Sequence, residues 1–205
     1  MAAAAAGQAG KPDNESEVRK MRTVIIYESV FGNTRQIAGA IAAGIRVSQP
    51  GSAVDCVPVT TATADLVSGA DLLIAGGPTH MRGMSSRMTR RKGAEGEQQK
   101  TPGLHLEPGY SETGLREWFA GLGQADPPRA AAAFDTRVAS RLAGGAARKI
   151  ARLLHGHGYR ILAQEGFIID GSAHGPLRAG ETVRAATWGA DLVSQVASRL
   201  PAARR

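Results

Sequence analysis

The sequence predicts an α/β fold, a three-layer doubly wound parallel sheet of five strands, and three observations carry that prediction. Five short runs of apolar or β-branched residues alternate with stretches of helical periodicity. Such alternation joins neighbouring strands by right-handed crossovers and lays helices on both faces of a parallel sheet. At 205 residues the chain is long enough for one α/β domain with a full core and short for two.

The clearest unit is residues 23–45, TVIIYESVFGNTRQIAGAIAAGI. Thr23, Val24, Ile25 and Ile26 favour a strand, and Ile37, Ile41 and Ile45 fall four apart, on one helical face. Between them stand Ser29, Val30, Phe31, Gly32, Asn33 and Thr34. Gly32 permits a tight turn, and Asn33 or Thr34 is placed to cap the first helical turn. A turn of this kind directs N–H groups and hydroxyls outward beside the positive end of a helix dipole, which suits a phosphate. A capped strand-to-helix turn with no ligand is the competing reading. A Walker loop would need Lys immediately before Thr34, where Asn33 stands, and a dinucleotide fingerprint would need three glycines where only Gly32 is present.

Further along, residues 53–59 read as a strand that Pro58 assigns to a sheet edge. Cys56, the single cysteine, reads as a small packing residue with no neighbour to activate its thiol. Residues 63–68 form a short helix, and 71–75 an apolar strand buried on both faces. Gly76, Gly77 and Pro78 end that strand, so residues 79–85 become a loop at its carboxyl end. Residues 88–109 are basic, Gly-rich and aperiodic, and are expected to be a mobile loop. Leu115, Trp118, Phe119 and Leu122 recur at helical spacing, which puts Trp118 in the core.

Residues 130–134 make the fourth strand, and Asp135, Thr136 and Arg137 begin the next loop. After Gly144 and Gly145, a helix buries Ala147, Ile150, Ala151 and Leu154. His155 and His157 at its end lack further ligands in sequence, so no metal site is predicted. Residues 159–170 form the fifth strand, interrupted near Gly166. Val183, Thr187, Ala190, Val193, Ala197 and Leu200 define the buried stripe of the last helix, with Trp188 at its rim.

The formal charge is +7, and over half of that excess lies between residues 82 and 100. There Arg82, Arg87, Arg90, Arg91, Lys92 and Lys100 outnumber Glu95 and Glu97, and the tail adds Arg199, Arg204 and Arg205 without the interleaved aromatics of a single-strand binder. Nucleic acid is therefore not the expected partner. Residues 1–22 read as a disordered tail without a signal peptide, 23–200 as the folded domain and 201–205 as a basic tail. No run is long enough to span a membrane, and with one cysteine the expected compartment is the cytoplasm.

A strand ending in Tyr27, followed by Ser29-x-x-Gly32-Asn33-Thr34 and an Ile- and Ala-rich helix, resembles the phosphate-binding turn of flavodoxins and flavodoxin-like proteins. Their usual turn reads Ser or Thr, any residue, Thr, Gly, any residue, Thr; Ser29, Gly32 and Thr34 match, and Phe31 stands at the middle Thr. Gly77, Pro78, Thr79 and His80, continuing into Met81, are similar to the loop that contacts the ribityl chain and one side of the flavin ring in flavodoxin-like and quinone-reductase-like proteins. Asp135, Thr136 and Arg137 look like that family's third flavin loop.

The resemblance covers about residues 23–200 and implies strand order 2-1-3-4-5, FMN as cofactor, and electron or hydride transfer. It implies that residues 29–34 hold the phosphate, that Thr79 and His80 lie along the flavin, and that Asp135 to Arg137 close its far side. The basic stretch beside the second loop suggests an oxidoreductase that receives an anionic reactant such as NAD(P)H, or else a redox partner protein. Phe31 and the lack of a stacking aromatic leave a cofactor-free binding or interaction module of the same fold as the alternative.

Overall fold

The computed structural model describes residues 20–80, 83–125, 127–139 and 145–198. The expectations placed on Met81, Arg82, Asp126, Gly144, Leu200, residues 1–19 and residues 201–205 lie outside the described residues, whereas Met21, in the core, and Arg22, in the first strand, belong to the fold and not to the expected tail. The chain starts with β1 (Arg22–Tyr27), α1 (Asn33–Ser48), β2 (Ala53–Pro58), α2 (Ala64–Ser68) and β3 (Leu72–His80). It continues through β4 (Gly83–Met84), α3 (Arg87–Lys100), α4 (Leu115–Gly121), β5 (Ala130–Val138), α5 (Ala146–Gly156), β6 (Arg160–Ile169) and α6 (Glu181–Ala197).

The main sheet is parallel throughout and runs β2-β1-β3-β5-β6, with β4 paired antiparallel to the end of β3. Apart from that short extra strand, this is the order the sequence predicts, with β2 at the edge. Alternate residues of each strand serve opposite layers. Val24, Ile26, Leu73, Ala75, Ala131 and Ala133 pack with α2, α4 and α5, whereas Ile25, Leu72, Ile74, Ala132 and Phe134 pack with α1 and α6. Trp118 is in the first of these layers, as its spacing predicts. Each large aliphatic side chain buried here contributes about 1.5–3 kcal/mol.

Helices α1 and α6 approach backbone to backbone. A Cβ on Gly44 would lie 1.9 Å from the Ala186 carbonyl oxygen, and one on Gly189 would lie 2.5 Å from that of Ile41. The buried face of α6 is accordingly Ala185, Gly189, Leu192, Val193 and Val196. The predicted stripe through Val183 and Thr187 is wrong in phase: Val183 is 69% exposed, because the contact with α1 selects small residues rather than the bulkier ones.

Four further expectations are overturned. Residues 88–109 are not one loop, since α3 occupies Arg87–Lys100. Ser86 and Thr89 form a reciprocal capping box at its start, and only Arg90 and Ala94 are buried, so the helix carries no apolar stripe to reveal it. Strand β3 does not stop at Gly76 but continues to His80, because Thr79 and His80 pair with Met84 and Gly83 of β4. Strand β5 likewise runs through Asp135, Thr136 and Arg137, which pair with Gly166, Phe167 and Ile168. Gly166 is thus within the ladder, and the irregularity lies earlier, where the partner of Ala132 shifts to Ala163.

Among the described residues, no helix is long and apolar enough to cross a membrane. His157 stacks on Phe119 with ring centroids 6.0 Å apart.

Candidate functional site

The carboxyl ends of β1, β3 and β5 finish side by side, since Tyr27 pairs with Gly76, and Gly76, Gly77 and Pro78 pair with Phe134, Asp135 and Thr136. The turn after β1 therefore sits beside the other two segments singled out in sequence. Gly32 takes φ 95° and is the N-cap of α1. That left-handed conformation is open to glycine without the penalty a Cβ would bring. The Gly32 N–H donates to Ser29 Oγ at 3.2 Å, which tightens the turn.

Asn33 and Thr34 are not the caps expected of them, because they already lie inside the first turn of α1. The Asn33 side-chain amide donates to the Gly175 carbonyl at 2.8 Å, and Thr34 Oγ1 shares a 2.8 Å hydrogen bond with Thr136 Oγ1. No side chain caps α1, and no acidic residue stands in its first turn. Its leading N–H groups thus face outward with no capping carboxylate of their own, an arrangement that receives anions.

Strand parity divides the second and third segments between two tasks. Thr79 Oγ1 accepts the Ala146 N–H at 3.0 Å, and Asp135 Oδ2 accepts the Ala147 N–H at 2.9 Å, so both residues hold the start of α5. Arg137 turns back to Asp135, with Nη1 3.5 Å from Oδ2. Burial raises the Asp135 pKa against the opposing pull of the Ala147 bond and Arg137. Thr136, one step along β5, points to the other layer and reaches the turn. His80 lies against α3, where a Cβ on Gly93 would be 3.7 Å from its Cε1, and burial lowers its pKa, which keeps the ring neutral. Gly77 is closely covered: its Cβ would stand 3.0 Å from Leu115 Cδ1.

A buried polar cluster, not singled out in the sequence, fixes what covers these strand ends. Glu28, Ser85 and Arg90 are all buried, Arg90 completely. Ser85 Oγ donates to Glu28 Oε1, and the Leu115 N–H donates to Oε2 at 2.9 Å. Arg90 Nη1 donates to Ser85 Oγ at 3.0 Å and lies 3.5 Å from Glu28 Oε2. Its other nitrogens donate to the carbonyls of Tyr110 (3.0 Å) and Glu112 (2.9 Å). One guanidinium thereby ties α3, the segment before α4, and the end of β1 together. Gly114 makes room for it, since a Cβ there would come within 2.1 Å of Nη1.

Two segments then reach across the turn. From one side the Glu107 N–H donates to the Val30 carbonyl at 2.9 Å, and Glu107 Oε1 pairs with Arg35 Nε at 2.9 Å. From the other, His174 presents its ring edgewise to Phe31 at 6.0 Å and places Nδ1 2.8 Å from Glu97 Oε2. A pocket opens beside Ser29 on the β2 side, walled by Tyr27, Thr60, Glu107 and Tyr110.

No family model matches the chain, and no curated protein does. Solved structures do. A flavodoxin from the domain Archaea aligns over 86% of this chain and 99% of its own, with a TM-score of 0.56 at 19% identity. Oxidised flavodoxin 1 from Bacillus cereus aligns over 84% of this chain and 97% of its own, with a TM-score of 0.56 at 15% identity. The WrbA-like flavodoxin from Agrobacterium tumefaciens aligns over 88% and 100%, with a TM-score of 0.52 at 17% identity. The chain has the flavodoxin-like fold.

In a flavodoxin-like sheet the strand order reverses between β1 and β3, and the crevice outside the carboxyl ends there is where open α/β sheets receive ligands. The residues present at that point fit a phosphate group. They offer a left-handed glycine, the buried hydroxyls of Ser29 and Thr34, and an uncapped helix start with Arg35 beside it. Phe31, half-buried in the turn itself, is the aromatic nearest to that position in sequence.

Proposed function

We propose that the chain binds FMN noncovalently at the turn formed by residues 29–34 and acts in electron or hydride transfer as a small flavin-dependent oxidoreductase. The observation that carries this reading is the uncapped start of α1 at the β1/β3 reversal, with Gly32 at φ 95° and no acidic residue in the first turn. Similar structures include an oxidised flavodoxin from Bacillus cereus and a two-electron reduced one from Megasphaera elsdenii, the latter at 18% identity with a TM-score of 0.50, and they support a redox role.

FMN, when bound, supplies the redox chemistry. The protein's part is binding and orientation. The N–H groups at the start of α1, with Ser29 and Thr34, hold the phosphate; Gly77, Pro78 and His80 line one side of the flavin, and Thr136 the other. Thr79 and Asp135 act through α5, whose start they fix. The neutral His80 ring is suited to a hydrogen bond with an uncharged flavin atom. The exposed cations of α3, Arg87, Arg91 and Lys92, suit an anionic reactant such as NAD(P)H. The folded unit takes in the strands and helices from β1 to α6, and the unpaired thiol of Cys56 fits a reducing cytoplasm.

The closing of the turn by Glu107 and Arg35 favours a second reading, a cofactor-free interaction module of the same fold. Titration of the full chain with FMN, followed by flavin fluorescence, separates the two. Saturable quenching that is lost in Gly32→Asp is expected. Absence of quenching, or quenching that the variant retains, would overturn the FMN reading and leave the interaction module.

A further inference from the structure

Glu107 brings to the turn the negative charge that α1 lacks. The first turn of α1 has no acidic residue and no capping side chain, yet a carboxylate from a segment more than 70 positions away in sequence is held against it. The hold has two points. The Glu107 N–H is fixed to the Val30 carbonyl at 2.9 Å, and Oε1 pairs with Arg35 Nε at 2.9 Å. Oε1 also lies 3.1 Å from where a Cβ of Gly32 would be, directly over the residue that starts the helix. The Glu107 side chain is 13% exposed, so this carboxylate is packed into the turn rather than waving in solvent.

The segment that carries Glu107 is itself anchored. Three residues on, the Tyr110 carbonyl accepts from the fully buried Arg90, as does that of Glu112. The backbone is therefore pinned, so any departure of the carboxylate from the turn has to come from the side-chain torsions of Glu107. Arg35 is half exposed, at 52%, and can follow either an internal or an external anion.

We propose that Glu107 is a built-in occupant of the phosphate turn, which an incoming phosphate displaces and from which that phosphate takes over Arg35. The inference rests on the FMN reading and adds to it a competitor and a phosphate ligand, Arg35, outside the family-like turn. A carboxylate and a phosphate cannot share the helix start, because both are anions competing for the space over Gly32 and for the same guanidinium. Ligand binding then has to break the Glu107–Arg35 pair before it gains the new one. The pair is partly solvated, so the penalty is modest, equivalent to about a 3- to 10-fold loss of affinity.

The test compares FMN with riboflavin, which lacks the phosphate, by fluorescence titration of the full chain and its variants. Glu107→Gln keeps the shape and removes the charge, and is expected to bind FMN about 3- to 10-fold more tightly while riboflavin binding stays unchanged. Adding Arg35→Met to Glu107→Gln is expected to reverse that gain for FMN alone. FMN affinity that is the same in wild type and Glu107→Gln would overturn the inference and leave the FMN reading standing. An equal change for FMN and riboflavin would also overturn it, since the effect would not pass through the phosphate. Failure of the wild type to bind FMN would refute the inference together with the reading beneath it.

Discussion

Replacing Arg90 with Met tests the claim that one buried guanidinium holds the covering segments over the strand ends. Arg90 is completely buried and donates to Ser85, Tyr110 and Glu112, with the Glu28 carboxylate 3.5 Å away. Methionine fills much of the same volume, so the change is mainly one of charge and hydrogen bonding. Glu28 would keep the Ser85 hydroxyl and the Leu115 N–H but would lose its counter-charge while staying buried. Removing one member of a buried pair destabilises by about 3–5 kcal/mol. In urea, with a slope of about 2 kcal/mol/M, the midpoint should fall by roughly 2 M. Adding Glu28→Gln should recover more than half of the loss, because a Gln oxygen can accept from Leu115 while its amide donates to Ser85. A single-variant loss below about 1 kcal/mol, or a double variant no better than the single, would refute the argument that the buried pair anchors these segments.

Gly44→Ala should destabilise by about 1–3 kcal/mol from overpacking, since its Cβ would lie 1.9 Å from the Ala186 carbonyl oxygen; thermal unfolding reads this, and an unchanged midpoint would contradict the α1–α6 contact. Cys56 should be slow to react with a disulfide reagent at pH 8 in the folded protein and fast after denaturation, because burial pushes its thiol up to about 11 while Arg46 pulls weakly the other way. The folded state then binds the thiol proton more tightly than the unfolded chain, so this group's contribution to stability is full below about pH 9 and is lost as the pH rises toward 11. Stability that rises across that window in wild type relative to Cys56→Ala would reverse the sign and reject the burial argument.

The first strand, turn and helix were legible because their signals are local: four β-favouring residues, a glycine and three isoleucines four apart. The turn's partners were not, since Thr34 meets Thr136 and Asn33 meets Gly175 only through the parallel sheet. Helix α3 escaped notice because its buried residues are Arg90 and Ala94 rather than a stripe, although Ser86 and Thr89 carried a readable cap. The extension of β3 past two glycines and a proline depends on β4, a two-residue strand with no periodicity of its own. In α6 the exposed Val183 and the buried Gly189 invert the usual reading of hydrophobicity, because the neighbouring backbone leaves no room for a side chain. Nothing short of the folded chain relates Glu28 to Ser85 and Arg90, which lie 57 positions or more further along the chain.

The glycine contact between α1 and α6 bears on how this molecule can be altered. A helix pressed against its neighbour with carbonyl oxygens in the interface can neither rotate nor slide without collision. The amides at its start are thereby a fixed platform, and any change in what they receive has to come from the peptide laid over them. Grafting other sequences between residues 101 and 108, or between 171 and 174, would thus re-specify the ligand while the platform beneath and the Arg90 anchor stay the same, a division of labour that makes those two stretches the natural sites for redesign.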